Sequence, residues 1–212
     1  MNCAQLVKKI KPSIALIFAL NHQGVIFSTG SGFIFSKKGI LVTCNHGVKD
    51  SASLLIRFPN AEPIVAKIVL KDEEHDLALI KFDDNSREPL LLGNPALVEE
   101  GMEVLFSGYP LGLQDLTTHQ GILSAIVKDI TGVTKYLIDG TVNSGNSGCP
   151  LMNTAGDVIG VVNAKSIVGG DLLSKVQNMM NGAIALHGVD LVEIYKALIG
   201  NVQLGIGHAV PA

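Results

Sequence analysis

A serine placed between glycines is the residue of this chain best suited to chemistry. Ser147 lies in the run Asn143-Ser144-Gly145-Asn146-Ser147-Gly148-Cys149-Pro150. Glycine accepts positive φ and lets the backbone approach a substrate closely. Consecutive backbone amides on such a turn can point at one spot and stabilise a developing oxyanion. The run therefore predicts a tight turn that presents a nucleophilic hydroxyl.

Two segments upstream carry side chains that could activate this serine. One is Thr43-Cys44-Asn45-His46-Gly47-Val48, and the other is Asp76-Leu77-Ala78-Leu79-Ile80. A serine hydroxyl is barely nucleophilic at neutral pH, so a base must take its proton as attack proceeds. Histidine suits this role because its unperturbed pKa lies near the working pH. Taken singly, His46 could be a surface residue and Asp76 a strand-entry residue. Their order and their apolar neighbours favour a joint role.

The three segments together resemble those of the trypsin-like serine proteases, most closely the HtrA/Deg branch. The likeness continues at Gly30-Ser31-Gly32-Phe33-Ile34, Tyr109-Pro110-Leu111-Gly112 and Gly121-Ile122-Leu123-Ser124-Ala125. It implies a triad of Ser147 as nucleophile, His46 as general acid and base, and Asp76 as the group that orients the histidine. It also implies an oxyanion hole at Gly145, Asn146 and Ser147. An α/β-hydrolase is excluded, because residue 149 is cysteine and both partners precede the serine.

The resemblance places the specificity pocket at the segment before the nucleophile and at strand 160–165. Six residues before Ser147, where an acidic side chain would select Lys or Arg, stands a threonine. The expected lining residues are small or apolar, so cleavage after small or aliphatic residues is expected: Thr141, Val142, Val162, Asn163 and Ala164. The alternative is a regulated or inactive trypsin-like domain that acts as a peptide-binding module.

The elements that must position these residues are short apolar or alternating runs separated by Gly, Asn, Asp and Pro, a pattern typical of antiparallel strands. The expected fold is all-β, with two antiparallel six-stranded barrels of the chymotrypsin type and a C-terminal helix. Residues 1–112 should form the first barrel, with its last strand at 102–106. Residues 113–212 should form the second, and together they make one protease domain without a PDZ domain.

The end of the chain allows two alignments. In the first, the last barrel strand is 182–186 and a helix follows over 190–199, with Asp190 and Glu193 at its start. In the second, the last strand is the run Gly205-Ile206-Gly207-His208-Ala209-Val210-Pro211. The first alignment is favoured, because it leaves a loop of ordinary length before the strand.

Composition limits the remaining possibilities. The chain has 212 residues, 47% hydrophobic and 17% charged, which indicates a well-buried globular protein. A net charge of −3 makes nucleic acid an unlikely partner. No segment is long enough to span a membrane. Three scattered cysteines, Cys3, Cys44 and Cys149, give no disulfide framework and no zinc motif.

These observations set the expectations for partners and location. The expected partners are protein or peptide substrates, and the resemblance allows a homo-oligomer. The chemistry needs no cofactor and no metal. The free thiols and the lack of a convincing signal peptide favour a cytoplasmic location.

Overall fold

The computed structural model describes residues 2–129, 131–163, 179–194, 196 and 206–212. Two compact units are present, one formed by residues 1–164 with 205–212 and the other by residues 165–204. Both barrels lie in the first unit. Among the described residues, no helix is long and apolar enough to cross a bilayer.

The first barrel is closed by six antiparallel strands. Their order around the barrel is β1-β2-β3-β6-β5-β4. The strands are β1 (Ile14–Leu20), β2 (Ile26–Ser36), β3 (Ile40–Cys44), β4 (Ser53–Arg57), β5 (Ile64–Asp72) and β6 (Leu77–Phe82). Alternate side chains fill the interior, as the period of two of a strand requires. The largest buried residues there include Ile17, Leu41, Ile56, Phe58 and Ile80.

The second barrel is also closed by six antiparallel strands, in the order β10-β11-β14-β9-β8-β7. The strands are β7 (Glu103–Gly108), β8 (Thr117–Lys128), β9 (Thr134–Asp139), β10 (Pro150–Met152), β11 (Val158–Asn163) and β14 (Ile206–Pro211). A separate core fills this barrel, and a third cluster lies between the two. The predicted all-β fold with two six-stranded barrels is confirmed.

The strand predicted at 102–106 does exist, but it belongs to the second barrel and not to the first. It is β7, which pairs with β8 on one side and with β10 on the other. The chain therefore crosses between barrels in the segment 83–102, well before the predicted boundary at residue 112. Local alternation identified the strand, but only its pairing partners decide which barrel it completes.

The favoured alignment of the chain end is wrong, and the second one is right. The last barrel strand is β14, which pairs with β9 and with β11, so it closes the second barrel. The competing segment contributes only the short strand β12 (Ala185–Leu186), which pairs with β13 (Val189–Asp190) in the smaller unit. The prediction was based on loop length, whereas the position of the last strand is decided by its pairing with two distant strands.

The predicted C-terminal helix is partly described. Residues 191–194 and 196 are helical, and the Asp190 carboxylate accepts hydrogen bonds from the amides of Val192 and Glu193. This is the N-cap that the sequence predicted. The helical residues precede β14, so they do not end the chain as expected. Residues 195 and 197–199 of the prediction lie outside the described residues.

The chain begins with a helix that the sequence analysis did not identify. Helix α1 (Cys3–Ile10) is capped by Asn2, whose side chain accepts from the Gln5 amide while the Gln5 side chain accepts from the Asn2 amide. Leu6 and Ile10 lie four residues apart on its buried face and join the core cluster between the barrels. The capping box and this spacing were the available signals.

Candidate active site

Strand register brings His46 and Asp76 together. Strands β3 and β6 are antiparallel, and Cys44 at the end of β3 lies opposite Leu77 at the start of β6. The residues just beyond this pair must therefore meet at the barrel edge. His46 follows in a 3-10 turn, Asn45–Gly47, and the Asn45 amide donates to the Asp76 carbonyl at 2.9 Å.

The Asp76 carboxylate holds the histidine at two points. Its Oδ2 lies 2.5 Å from His46 Nδ1, and its Oδ1 accepts from the His46 amide at 2.8 Å. Asp76 has φ of +57°, a left-handed conformation that aspartate tolerates better than most residues and that often marks a functional site. The imidazole is thus fixed in orientation, with Nε2 on the side of the ring away from the carboxylate.

Asn163, predicted as a pocket residue, contacts the same carboxylate. Asn163 is the last residue of β11, and its Nδ2 donates to Asp76 Oδ2 at 2.8 Å. Burial would raise the pKa of Asp76, but the hydrogen bonds and charge of His46, together with the Asn163 hydrogen bond, lower it below its ordinary value. Asp76 is therefore a carboxylate at neutral pH. Sequence reasoning missed this role because 87 residues separate the two side chains.

Ser147 faces the same cleft as His46. A cavity of about 130 Å³ is lined by both residues. The other lining residues come from β1, β2, β3, the turn around His46 and the loop before the serine: Ile17, Ser28, Thr29, Gly30, Thr43, Cys44, Gly47, Val48, Ser144 and Gly145. Ser147 is 8% exposed, so its environment is largely protected from bulk water. The cleft thus contains a hydroxyl and an imidazole that a carboxylate orients.

The Gly-Ser-Gly motif of β2 fastens the serine loop to the first barrel. The Ser31 amide donates to the Ser147 carbonyl at 2.9 Å, and Ser31 Oγ donates to the Gly145 carbonyl at 2.7 Å. The same hydroxyl accepts from the Tyr109 amide at 2.9 Å. Gly32 is required because a Cβ there would lie 2.2 Å from a Leu41 methyl carbon. The motif therefore positions the loop that was predicted to form the oxyanion hole.

Backbone hydrogen bonds hold that loop. The Asn146 amide donates to the Asn143 carbonyl, and the Cys149 amide donates to the Asn146 carbonyl, both at 3.0 Å. The Asn146 side chain is fully buried, and neither of its polar atoms has a partner among the described residues. Asn146 thus holds the loop through its backbone. Gly145 and Gly148 have φ of +94° and +86°, whereas Cys149 lies outside the left-handed region, so its backbone can carry a side chain without strain.

The remaining predicted pocket residues lie in different environments. Thr141 is exposed, and Val142 is half-buried and packs against the core of the second barrel. Neither residue lines the cleft that contains His46 and Ser147. Val162 is fully buried in the core of the second barrel, a location that does not support a lining role. Ala164 lies outside the described residues. The roles assigned to these residues, to the triad and to the oxyanion hole stay predictions.

Named relatives match more than half of this chain. A Pseudomonas fluorescens protein named "Probable periplasmic serine endoprotease DegP-like" is 38% identical over 137 residues, which cover 63% of this chain and 29% of the relative. A Lactobacillus helveticus protein named "Serine protease Do-like HtrA" is 34% identical over 195 residues, which cover 85% of this chain and 46% of the relative. The chain thus spans less than half the length of these relatives.

The cytoplasmic location expected from the sequence is contradicted, because the Pseudomonas relative is named as a periplasmic protein. Free thiols were a poor guide. Cys44 and Cys149 are buried, so they can stay reduced in an oxidising compartment as well.

The fold comparison agrees with the sequence relatives. The structure titled "HtrA-type protease AlgW with tripeptide" matches with a TM-score of 0.76 and 26% identity, covering 100% of this chain and 60% of that one. The family model described as "Trypsin-like peptidase domain" matches residues 30–161, the region that holds His46, Asp76 and Ser147. This chain therefore belongs to the trypsin-like peptidase family, with its named relatives in the HtrA group.

Proposed function

We propose that this chain is the catalytic domain of a serine endopeptidase that hydrolyses unfolded or flexible proteins through His46, Asp76 and Ser147. The observation that carries the proposal is the 2.5 Å contact between His46 Nδ1 and Asp76 Oδ2 beside the cleft that holds Ser147. The named relatives support the same activity. The periplasmic name of the Pseudomonas relative supports a periplasmic location.

The proposed reaction has two halves. Ser147 Oγ attacks the peptide carbonyl while His46 Nε2 takes the hydroxyl proton, and the amides of Gly145 and Ser147 stabilise the oxyanion. His46 then gives its proton to the leaving amine, and an acyl-enzyme remains. Water, activated by the same imidazole, hydrolyses the acyl-enzyme and regenerates the serine. The Asp76 carboxylate stabilises the imidazolium in both halves. The groups named here perform every step.

Casein digestion tests the proposed activity directly. Casein is largely unfolded, so cleavage sites are accessible without prior denaturation of the substrate. We expect the purified chain to convert casein into a ladder of fragments. Intact casein after prolonged incubation with folded protein would contradict the proposal and would favour the peptide-binding alternative.

We infer the substrate preference from Thr141, which stands where a negatively charged side chain would attract Lys or Arg. A carboxylate at that position is what a pocket for cationic side chains needs. The expected result of a peptide-library digest is cleavage after Val, Ala, Ile and other small or aliphatic residues. A cleavage profile dominated by Arg or Lys would show that the pocket is wrongly assigned.

Gly145→Ala should reduce turnover by about 100-fold or more, the effect of losing one oxyanion-hole donor. A Cβ at residue 145 would lie 2.4 Å from the Tyr109 carbonyl oxygen, so the loop must move. Gly24→Ala is the matched control. Gly24 has φ of +76°, yet nothing lies within 4 Å of its added Cβ. The Gly24→Ala variant should therefore lose only about 1–2 kcal/mol of folding stability, the cost of a side chain in the left-handed region. Equal loss of turnover in the two variants would contradict a special role for Gly145.

A further inference from the structure

Three side chains at the cleft form a set of metal ligands. Cys44, His46 and Asp76 each offer one ligating atom, and these atoms all lie within 4.8 Å of one another. Within the described part of the chain, no other group of three or more His, Cys, Asp or Glu side chains meets this condition. Cys44 is buried, and the other two side chains are 29% and 18% exposed. The three elements that carry them are fixed by the β3–β6 pairing.

The donor atoms indicate which ions would fit. A sulfur, an imidazole nitrogen and a carboxylate oxygen are the ligands of tetrahedral zinc, and a thiolate favours Zn²⁺ or Cd²⁺ over Mg²⁺ and Ca²⁺. Zinc bond lengths place neighbouring ligand atoms about 3.3–3.8 Å apart. The group therefore needs only a small contraction and a modest opening of the His46–Asp76 contact. Three protein ligands leave the fourth position for water.

The same residues provide access and support. Cys44 and His46 both line the catalytic cleft, so an ion can arrive by the route that substrate would use. Asn163 Nδ2 donates to Asp76 Oδ2 at 2.8 Å. An outer contact of this kind orients a ligand and is common around protein metal sites. The hydrogen bond from Cys44 Sγ to the Val162 carbonyl, 3.3 Å long, is given up when the thiol loses its proton to bind the ion.

We propose that Cys44, His46 and Asp76 bind a zinc or cadmium ion that reversibly inhibits the proposed peptidase. Binding forms metal–sulfur, metal–nitrogen and metal–oxygen bonds and changes no oxidation state. The thiol proton leaves to solvent. The ion binds the imidazole at Nδ1, the nitrogen that faces Asp76, and the imidazole proton then sits on Nε2, so the ring stays neutral. A protonated Nε2 cannot accept the Ser147 proton, so the bound ion removes the general base.

Cadmium absorption tests binding without any need for catalysis. Cys3 is exposed, so Cys3→Ser is made first to remove its thiol. The Cys3→Ser protein should show the ultraviolet thiolate-to-cadmium band, with an end point at one equivalent. The band should be lost in Cys3→Ser/Cys44→Ser and kept in Cys3→Ser/Cys149→Ala, which removes the buried thiol outside the group. If the Cys44→Ser protein fails to fold, Cys44→Ala takes its place. A band that survives loss of Cys44, or no band in Cys3→Ser, would overturn the proposal.

Zinc inhibition tests the consequence, which rests on the proposed function. Peptide hydrolysis should fall as zinc is added and should recover with a chelator. Loss of an outer contact costs a metal site about 10- to 100-fold in affinity, so loss of the sulfur ligand should weaken inhibition by at least about 100-fold. Each variant is compared with its own rate without zinc. Equal inhibition of wild type and Cys44→Ala would refute the role of Cys44. A protein without peptidase activity would still show the cadmium band, so the two failures can be told apart.

Discussion

Ser147→Ala should lower the rate of peptide hydrolysis by about 10⁶-fold, the scale seen when a serine protease loses its nucleophile. The methyl group cannot form the acyl-enzyme, so only the oxyanion hole and substrate binding remain to act on the peptide bond. The variant should stay folded, because the hydrogen bonds that hold the loop use backbone atoms of Ser147 and its neighbours. Single-turnover hydrolysis of a fluorogenic peptide measures the rate, and circular dichroism measures the fold.

Ser124→Ala is the control for this experiment. Ser124 lies exposed on β8 and does not line the cleft, so its loss should leave the rate within experimental error. A Ser147→Ala protein that keeps more than a few per cent of wild-type activity would show that another group is the nucleophile. The mechanism proposed above would then be wrong at its first step.

Asp76→Asn should reduce turnover by about 10⁴-fold with little change in structure. The carboxylate accepts hydrogen bonds from the His46 amide and from Asn163, and it lies 2.5 Å from the His46 ring. An amide at this position can turn its NH₂ group towards Nδ1, which leaves the proton on Nε2. The histidine is then the wrong tautomer to accept a proton from Ser147. Turnover of a peptide substrate measures the effect.

A second histidine–aspartate pair provides a matched control. Asp72 Oδ2 lies 2.9 Å from His75 Nδ1, so the same two groups meet only a few residues away. These side chains are 39% and 42% exposed, and neither lines the cleft. Asp72→Asn should therefore leave turnover nearly unchanged. Similar losses in Asp72→Asn and Asp76→Asn would indicate a general effect of charge or folding and would contradict the assigned role of Asp76.

Residue patterns predicted the parts of the site that depend on local geometry. The hydrophobic alternation of β3 and β6 placed His46 and Asp76 just beyond strand ends, and the glycines around Ser147 predicted its turn. Neighbouring antiparallel strands convert such local features into a meeting point. The closeness of His46 and Asp76 was therefore predictable once the two-barrel fold was expected.

What could not be predicted depends on contacts between distant segments. Two segments near the chain end have similar strand character, and only pairing with β9 and β11 selects β14 as the last strand. The contact between Asn163 and Asp76 has no local signature, because it depends on how β11 faces the first barrel. The position of Cys44 in the cleft also depends on a distant segment. The sequence shows that Cys44 lies two residues before His46, but its closeness to Asp76 can be seen only in the folded structure.

Labelling with a fluorophosphonate tests whether Ser147 is an activated nucleophile, because this reagent reacts with a serine only when a base and an oxyanion hole activate it. We expect one equivalent of label on the wild-type chain, located by mass spectrometry on the peptide that contains Ser147, and much slower labelling of Asp76→Asn. A folded wild-type chain that takes up no label, or that carries the label on a different serine, would show that Ser147 is not the activated nucleophile.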